Sequence, residues 1–108
     1  MATKTTKLTD TPVHIAECYG VKVPDSPMMT PERAKRINAA RYEGQEIAGA
    51  LQVIQPGDHV LELGAGLGLV GAIAAKNGDP AKVLSFEANP NLIEHINALY
   101  VLNDLSKK

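Results

Sequence analysis

The sequence predicts an α/β fold in which a parallel β-α-β-α core follows a small N-terminal hairpin and two helices. A strand-like apolar run at 59–63 leads into a glycine-rich turn at 64–68, and a helical apolar pattern begins directly after that turn. A second strand-like run covers 82–86, and Asn89-Pro90 then has the composition of a helix N-cap and first turn. These features predict two parallel strands joined by a helix.

The N-terminal elements are predicted in chain order. Residues 1–11 are polar and threonine-rich, so we expect them to be loose. The strand-like runs at 13–19 and 21–23 flank Gly20 and predict a short hairpin or two small strands. Thr30-Pro31 predicts a helix start, and that helix should run to about Ala40. Its basic residues are expected to form a solvated surface: Arg33, Lys35, Arg36 and Arg41.

A second helix is predicted from Gly44 to Ile54, with one buried face made by Ile47, Ala48, Ala50, Leu51 and Ile54. The helix after the glycine turn should end near Gly78, before Asp79-Pro80. The last helix has a predicted apolar face of Leu92, Ile93, Ile96, Leu99 and Tyr100. Residues 12–58 are therefore interpreted as a cap, and residues 59–108 as the first half of a ligand-binding domain.

Composition limits the possible functions. The 108 residues suffice for one domain, and the formal charge of −1 with a pI near 6.3 gives no electrostatic footprint for nucleic acid or an anionic membrane. No apolar run reaches the ~20 residues that span a bilayer, and no signal-peptide core follows Met1. We expect a cytoplasmic protein. Cys18 is the only cysteine and is expected to be a small buried residue.

The histidines do not predict a metal site. His14, His59 and His95 lie in three different predicted elements and lack a second ligand at metal spacing. We expect all three to be structural or surface residues. Tyr19 and Tyr42 are expected to pack.

Two acids flank the glycine turn and narrow the class of ligand. Glu87 ends the second strand, where a carboxylate can accept hydrogen bonds from the two hydroxyls of a ribose. Glu62 lies in the first strand, and we expect both carboxylates to face the crevice at the strand ends. A second acid there would repel a phosphate but suits a positively charged ligand. S-adenosylmethionine combines a ribose with a sulfonium and has no phosphate.

These residues resemble a known family. Glu62-Leu63-Gly64-Ala65-Gly66-Leu67-Gly68 is similar to the first motif of class I S-adenosylmethionine-dependent methyltransferases, and Phe86-Glu87-Ala88-Asn89-Pro90 is similar to their acidic motif. Residues 87–92, 102–105, 42–46 and 56–58, with Asn97, further resemble the FkbM type. That resemblance implies a Rossmann-like fold and O-methyl transfer to a sugar or another small hydroxylated molecule.

The resemblance also implies site roles. Gly64, Ala65, Gly66 and Gly68 would shape the methionine end of the cofactor site, and Glu62 would contact or organise that end. Glu87 would hold the ribose, with Ala88 beside the adenine and Glu43 near the cofactor. No catalytic residue and no metal ligand is assigned.

Two alternatives stay open. Gly66-Leu67-Gly68-Leu69-Val70-Gly71 also satisfies the dinucleotide pattern, with Glu87 about twenty residues further on, which would indicate an NAD(P)-binding oxidoreductase half-domain. That reading leaves Gly64 and the Asn-Pro motif unexplained. The third possibility is a Rossmann-like interaction module without catalysis.

The resemblance covers only part of the family fold. Class I methyltransferases resemble a seven-stranded sheet, and this sequence supplies its first two core strands. We expect a fragment or a truncated reading frame that is incomplete for catalysis. The first strand would have an unpaired apolar edge, so self-association or a complementary chain is expected there.

Overall fold

The computed structural model describes residues 14–108 and shows a small α/β domain with two small sheets. Its elements are β1 (His14–Cys18), β2 (Val21–Pro24), α1 (Pro31–Asn38), α2 (Gly44–Val53), β3 (His59–Leu63), α3 (Leu69–Gly78), β4 (Lys82–Phe86) and α4 (Pro90–Leu102). The expectation for residues 1–11 lies outside the described residues. No helix in the described range is long and apolar enough to cross a membrane.

The two predicted strand pairs are confirmed. β1 and β2 form an antiparallel hairpin. β3 and β4 are parallel and in register, with Val60 opposite Val83 and Leu63 opposite Phe86. Because α3 connects them, the carboxyl ends of both strands meet at one edge, where the glycine turn follows β3.

The helix starts follow the predicted capping residues. The Thr30 side chain accepts a hydrogen bond from the Arg33 amide, and the Asn89 side chain accepts one from the Asn91 amide. The predicted end of α1 at Ala40 is wrong by two residues, since the helix ends at Asn38 and Ala40 has a left-handed φ of 58°. A left-handed residue cannot continue a right-handed helix.

Helix α3 lies at the centre of the domain. It is buried at Leu69 and at the run 71–75, much of which is glycine and alanine. These small side chains let neighbouring elements approach closely. α3 packs against β4 on one side and against α2, α4 and β2 on the others, so the hairpin covers the helices on the side away from the parallel sheet.

The parallel sheet is covered on one face only. Val83 and Ser85 face the helices, whereas Leu61, Leu63, Leu84 and Phe86 on the other face have exposed fractions from 54% to 73%. The sequence predicted an open edge at the first strand, and β3 indeed has no second neighbour within residues 14–108. The open face was not predicted, because an apolar run does not reveal which of its residues are covered.

Three packing predictions are wrong. Tyr19 is 47% exposed because it forms the hairpin turn, with φ 49°. Ile93 is 41% exposed, since it lines a groove beside β4 instead of the core. Ala48 lies on the solvent side of α2. Tyr42 packs against the core, and Cys18 is buried in it, as expected.

Candidate functional site

The glycine turn is held at the carboxyl end of the parallel strands. Gly64, Gly66 and Gly68 have φ of 76°, 59° and 83°, a conformation that side chains with a Cβ rarely adopt. The amides of Gly64 and Ala65 both donate to the Phe86 carbonyl, at 2.8 and 3.0 Å. The turn is therefore fixed to the end of β4 as well as to β3.

The glycines of this turn meet different surroundings. A Cβ built on Gly64 or Gly66 would have no atom within 4 Å, so open space faces the backbone there. A Cβ on Gly68 would lie 3.1 Å from the Ile96 side chain. Gly68 is therefore needed for close packing against α4, whereas Gly64 and Gly66 leave their main chain accessible.

Glu87 joins the glycine turn to the start of α4. Its Oε1 accepts a hydrogen bond from the Gly66 amide at 2.7 Å, and its Oε2 accepts one from the Asn89 amide at 3.0 Å. The hydrogen bonds from Asn89 and Gly66 lower the pKa of Glu87, so the carboxylate stays ionised at neutral pH. Each carboxylate oxygen keeps a further lone pair for a ligand hydroxyl.

The prediction that the Glu62 side chain faces the crevice is wrong. Strand alternation puts it on the helix-covered side of the sheet, where its Oε1 accepts a hydrogen bond from the Ser85 hydroxyl at 2.8 Å. Burial raises its pKa, opposed by hydrogen bonds from Ser85 and the Gly71 backbone. A Cβ on Gly71 would come within 2.6 Å of the Glu62 carboxylate, so Gly71 makes room for it.

Tyr100 lies beside Glu62 and Ser85. The sequence predicted it only as a member of the apolar face of α4. Its hydroxyl is buried and has no hydrogen-bond partner among residues 14–108. Burial and the charge of Glu62 raise its pKa to about 12. Tyr100 and Ser85 also line the groove of about 390 Å³ beside β4, which extends to Glu87. Helical periodicity alone could not reveal this placement, since it marks a buried position and not the polar groups that lie beside it.

Glu43 and Ala88 lie at the margins of the site. Glu43 precedes α2 in a left-handed conformation, φ 48°, and its side chain caps nothing. Burial raises its pKa, and the charges of Glu46 and Glu62 raise it further. Glu62 is therefore close enough to Glu43 to disfavour its charged form. Ala88 is exposed beside Glu87.

The histidines and Cys18 are not part of the candidate site at the carboxyl ends of β3 and β4. Residues 14–108 contain no group of three or more histidine, cysteine or acidic side chains that could hold a metal ion. His14 lies 3.6 Å from Glu17, and His95 lies 3.9 Å from its neighbour Glu94. Burial raises the pKa of the Cys18 thiol, which disfavours the reactive thiolate.

Comparisons of the chain with protein-family models, with curated proteins and with solved structures gave no match.

Proposed function

We propose that this chain binds S-adenosylmethionine and forms the cofactor-binding half of a Rossmann-like, class I methyltransferase of the FkbM type. The supporting observation is the Glu87 carboxylate, which lies 2.7 Å from the Gly66 amide at the shared carboxyl edge of β3 and β4. The acid proposed to bind the ribose therefore lies next to the accessible backbone of the glycine turn. One ligand can place its ribose on Glu87 and its methionine end on the turn.

The charges at this edge favour a cationic ligand over a phosphate. A dinucleotide places its pyrophosphate on the amides of the glycine turn. The Gly66 amide already donates to Glu87, and that ionised carboxylate would repel a phosphate oxygen. Glu62 and Glu43 are two further carboxyl groups close enough for the charge of Glu62 to raise the pKa of Glu43. A sulfonium and an ammonium group are instead attracted.

Each predicted residue has a role in this proposal. Glu87 accepts hydrogen bonds from the ribose hydroxyls, and Ala88 lies beside the adenine. The methionine end contacts the open backbone of Gly64 and Gly66. Ala65 is buried between them and holds the turn through its hydrogen bonds to the Phe86 carbonyl and the Gly68 amide, while Gly68 sets the start of α3. Glu62 and Glu43 complement the positive charge. The cofactor supplies an electrophilic methyl group for an acceptor hydroxyl of a sugar or another small molecule.

One observation favours the NAD(P)-binding alternative. Gly71 lies in α3, where the absence of a side chain leaves room for the Glu62 side chain of β3 and the Tyr100 hydroxyl. Close packing between helix and strand is the role of the third glycine in a dinucleotide pattern. The dinucleotide pattern does not include Gly64, although Gly64 also has a positive φ. Binding of NAD(P) is therefore the second candidate function.

Calorimetric titration distinguishes the two candidates. We expect saturable binding of S-adenosylhomocysteine and no binding of NADH. Glu87→Gln should weaken the binding by about 10- to 100-fold, because the ribose hydroxyls lose a charged hydrogen-bond acceptor. Glu94→Gln is the matched control, because the Glu94 side chain is 82% exposed on α4. Tighter binding of NADH, or an unchanged affinity in Glu87→Gln, would contradict the proposal.

A further inference from the structure

The buried hydroxyl of Tyr100 points to a role beside Glu62. We propose that Tyr100 is a positioning residue, whose hydroxyl donates a hydrogen bond to the Glu62 carboxylate when that carboxylate is ionised and so maintains its negative charge. The hydrogen bond is a property of the folded chain alone. Its value for holding a cationic ligand rests on the proposed function.

The two side chains meet over the glycine of α3. A Cβ on Gly71 would lie 2.6 Å from Glu62 Oε1 and 2.8 Å from the Tyr100 hydroxyl oxygen, so both oxygens reach the space that this glycine leaves. The Tyr100 ring packs against the core, which fixes the direction of its hydroxyl. The carboxyl group of Glu62 can rotate about its last bond, since that torsion is soft. Rotation can therefore bring a carboxylate oxygen to the hydroxyl.

An ionised carboxylate at this position needs hydrogen-bond donors. Glu62 is partly buried, and burial disfavours its charged form. The Ser85 hydroxyl donates to Oε1 at 2.8 Å, and the Gly71 backbone supplies a second hydrogen bond. A carboxylate can accept about four hydrogen bonds. Within residues 14–108, the Tyr100 hydroxyl is the one buried side-chain group without a partner, so it is the donor available to complete the set.

The groups that face Glu62 leave Tyr100 able to donate. Ser85 on β4 and the Gly71 backbone on α3 are neutral, and Glu43, which precedes α2, is the charged group close enough to respond to Glu62. Burial and the charge of Glu62 raise the pKa of Tyr100 to about 12. The hydroxyl therefore keeps its proton throughout the pH range in which a carboxyl group titrates.

Nuclear magnetic resonance of the Glu62 carboxyl carbon over a range of pH tests the hydrogen bond without a ligand. In Tyr100→Phe the midpoint of the Glu62 titration should rise by about one pH unit, because the charged form loses a donor. Ser85→Ala removes the donor already seen at 2.8 Å and should raise the midpoint as well. Tyr19→Phe is the matched control, because Tyr19 lies in the hairpin turn and is 47% exposed.

The titration separates this role from a packing role. Loss of packing alone would lower the stability of Tyr100→Phe and leave the Glu62 midpoint where it is in the wild type. An unchanged or lower midpoint in the folded variant would therefore overturn the proposal. Amide spectra of each variant check that it remains folded.

Titration with S-adenosylmethionine tests what the charge contributes to binding. Tyr100→Phe should bind it about three- to tenfold more weakly at neutral pH, and the difference should shrink towards about pH 9, where Glu62 is ionised in both chains. A ratio that stays constant with pH would overturn the role of Tyr100 in maintaining the charge. Absence of binding by the wild type would contradict the proposed cofactor, whereas the ligand-free titration would still decide the hydrogen bond.

Discussion

Gly68 combines a backbone constraint with a packing constraint. Its φ is 83°, and a Cβ would lie 3.1 Å from Ile96. We predict that Gly68→Ala lowers the free energy of unfolding by about 2–4 kcal/mol, through left-handed strain and overpacking. Chemical denaturation measures this loss. Gly49→Ala is the control, because Gly49 lies inside α2 with no atom within 4 Å of its Cβ, so alanine should stabilise by roughly 0.5–1 kcal/mol.

Glu62 makes stability depend on pH. Burial raises its pKa in the folded chain, so the folded state holds this proton to a higher pH than the unfolded state. The stability associated with protonated Glu62 is present at acid pH and is lost as the pH rises above the ordinary glutamate value.

We therefore predict that Glu62→Gln raises the melting temperature at neutral pH relative to the wild type, and that the difference shrinks towards about pH 4. The glutamine oxygen can still accept the Ser85 hydrogen bond. Glu94→Gln controls for the change in net charge. A difference that grows towards acid pH would contradict the assignment.

At the residue scale, the sequence predicted which residues form the turn better than where their side chains point. Glycine spacing and the acid after the second strand predicted that Glu87 reaches the turn, and the Gly66 hydrogen bond confirms that proximity. The direction of Glu62 was missed, although alternation along the strand carries that information. The Tyr100 hydroxyl lies near Glu62, whose charge raises its pKa, and only the fold brings these two residues together.

At the element scale, Asn103 connects α4 to the hairpin. Its side chain accepts from the Lys22 amide and donates to the Lys22 carbonyl, each at 2.7 Å, and it also donates to the Leu99 carbonyl. We predict that Asn103→Ala costs roughly 2–4 kcal/mol of stability, because it leaves polar backbone groups of β2 without partners. Denaturant unfolding measures this, with the exposed Asn97→Ala in α4 as control. Equal losses in the two variants would contradict the connection.

Element boundaries could be predicted where local chemistry sets them. Both parallel strands and the starts of α1 and α4 agree with the sequence reading, because apolar runs, caps and prolines act locally. The end of α1 was missed because alanine gives no warning of a left-handed conformation. The place of the hairpin over α3 and α4 depends on long-range contacts such as that between Asn103 and Lys22.

At the scale of the whole molecule, the hydrophobic core lies on one side of the parallel sheet. Leu84 on the open face is 57% exposed, whereas Ile73 in α3 is fully buried. We predict that Leu84→Ala changes the free energy of unfolding by less than about 1 kcal/mol, while Ile73→Ala lowers it by about 2–5 kcal/mol. Chemical denaturation measures both changes. Equal losses in the two variants would contradict this one-sided core.

The most direct test of the central claim is a titration of the isotope-labelled chain with S-adenosylhomocysteine, followed by nuclear magnetic resonance of its backbone amides. The proposal predicts saturable shifts at Gly64, Gly66 and Ala88, with little change in the β1–β2 hairpin. In Glu87→Gln the same shifts should require much more ligand. Shifts caused by NADH at these amides, or no shift with S-adenosylhomocysteine in a folded chain, would contradict the assignment of a methyltransferase cofactor site.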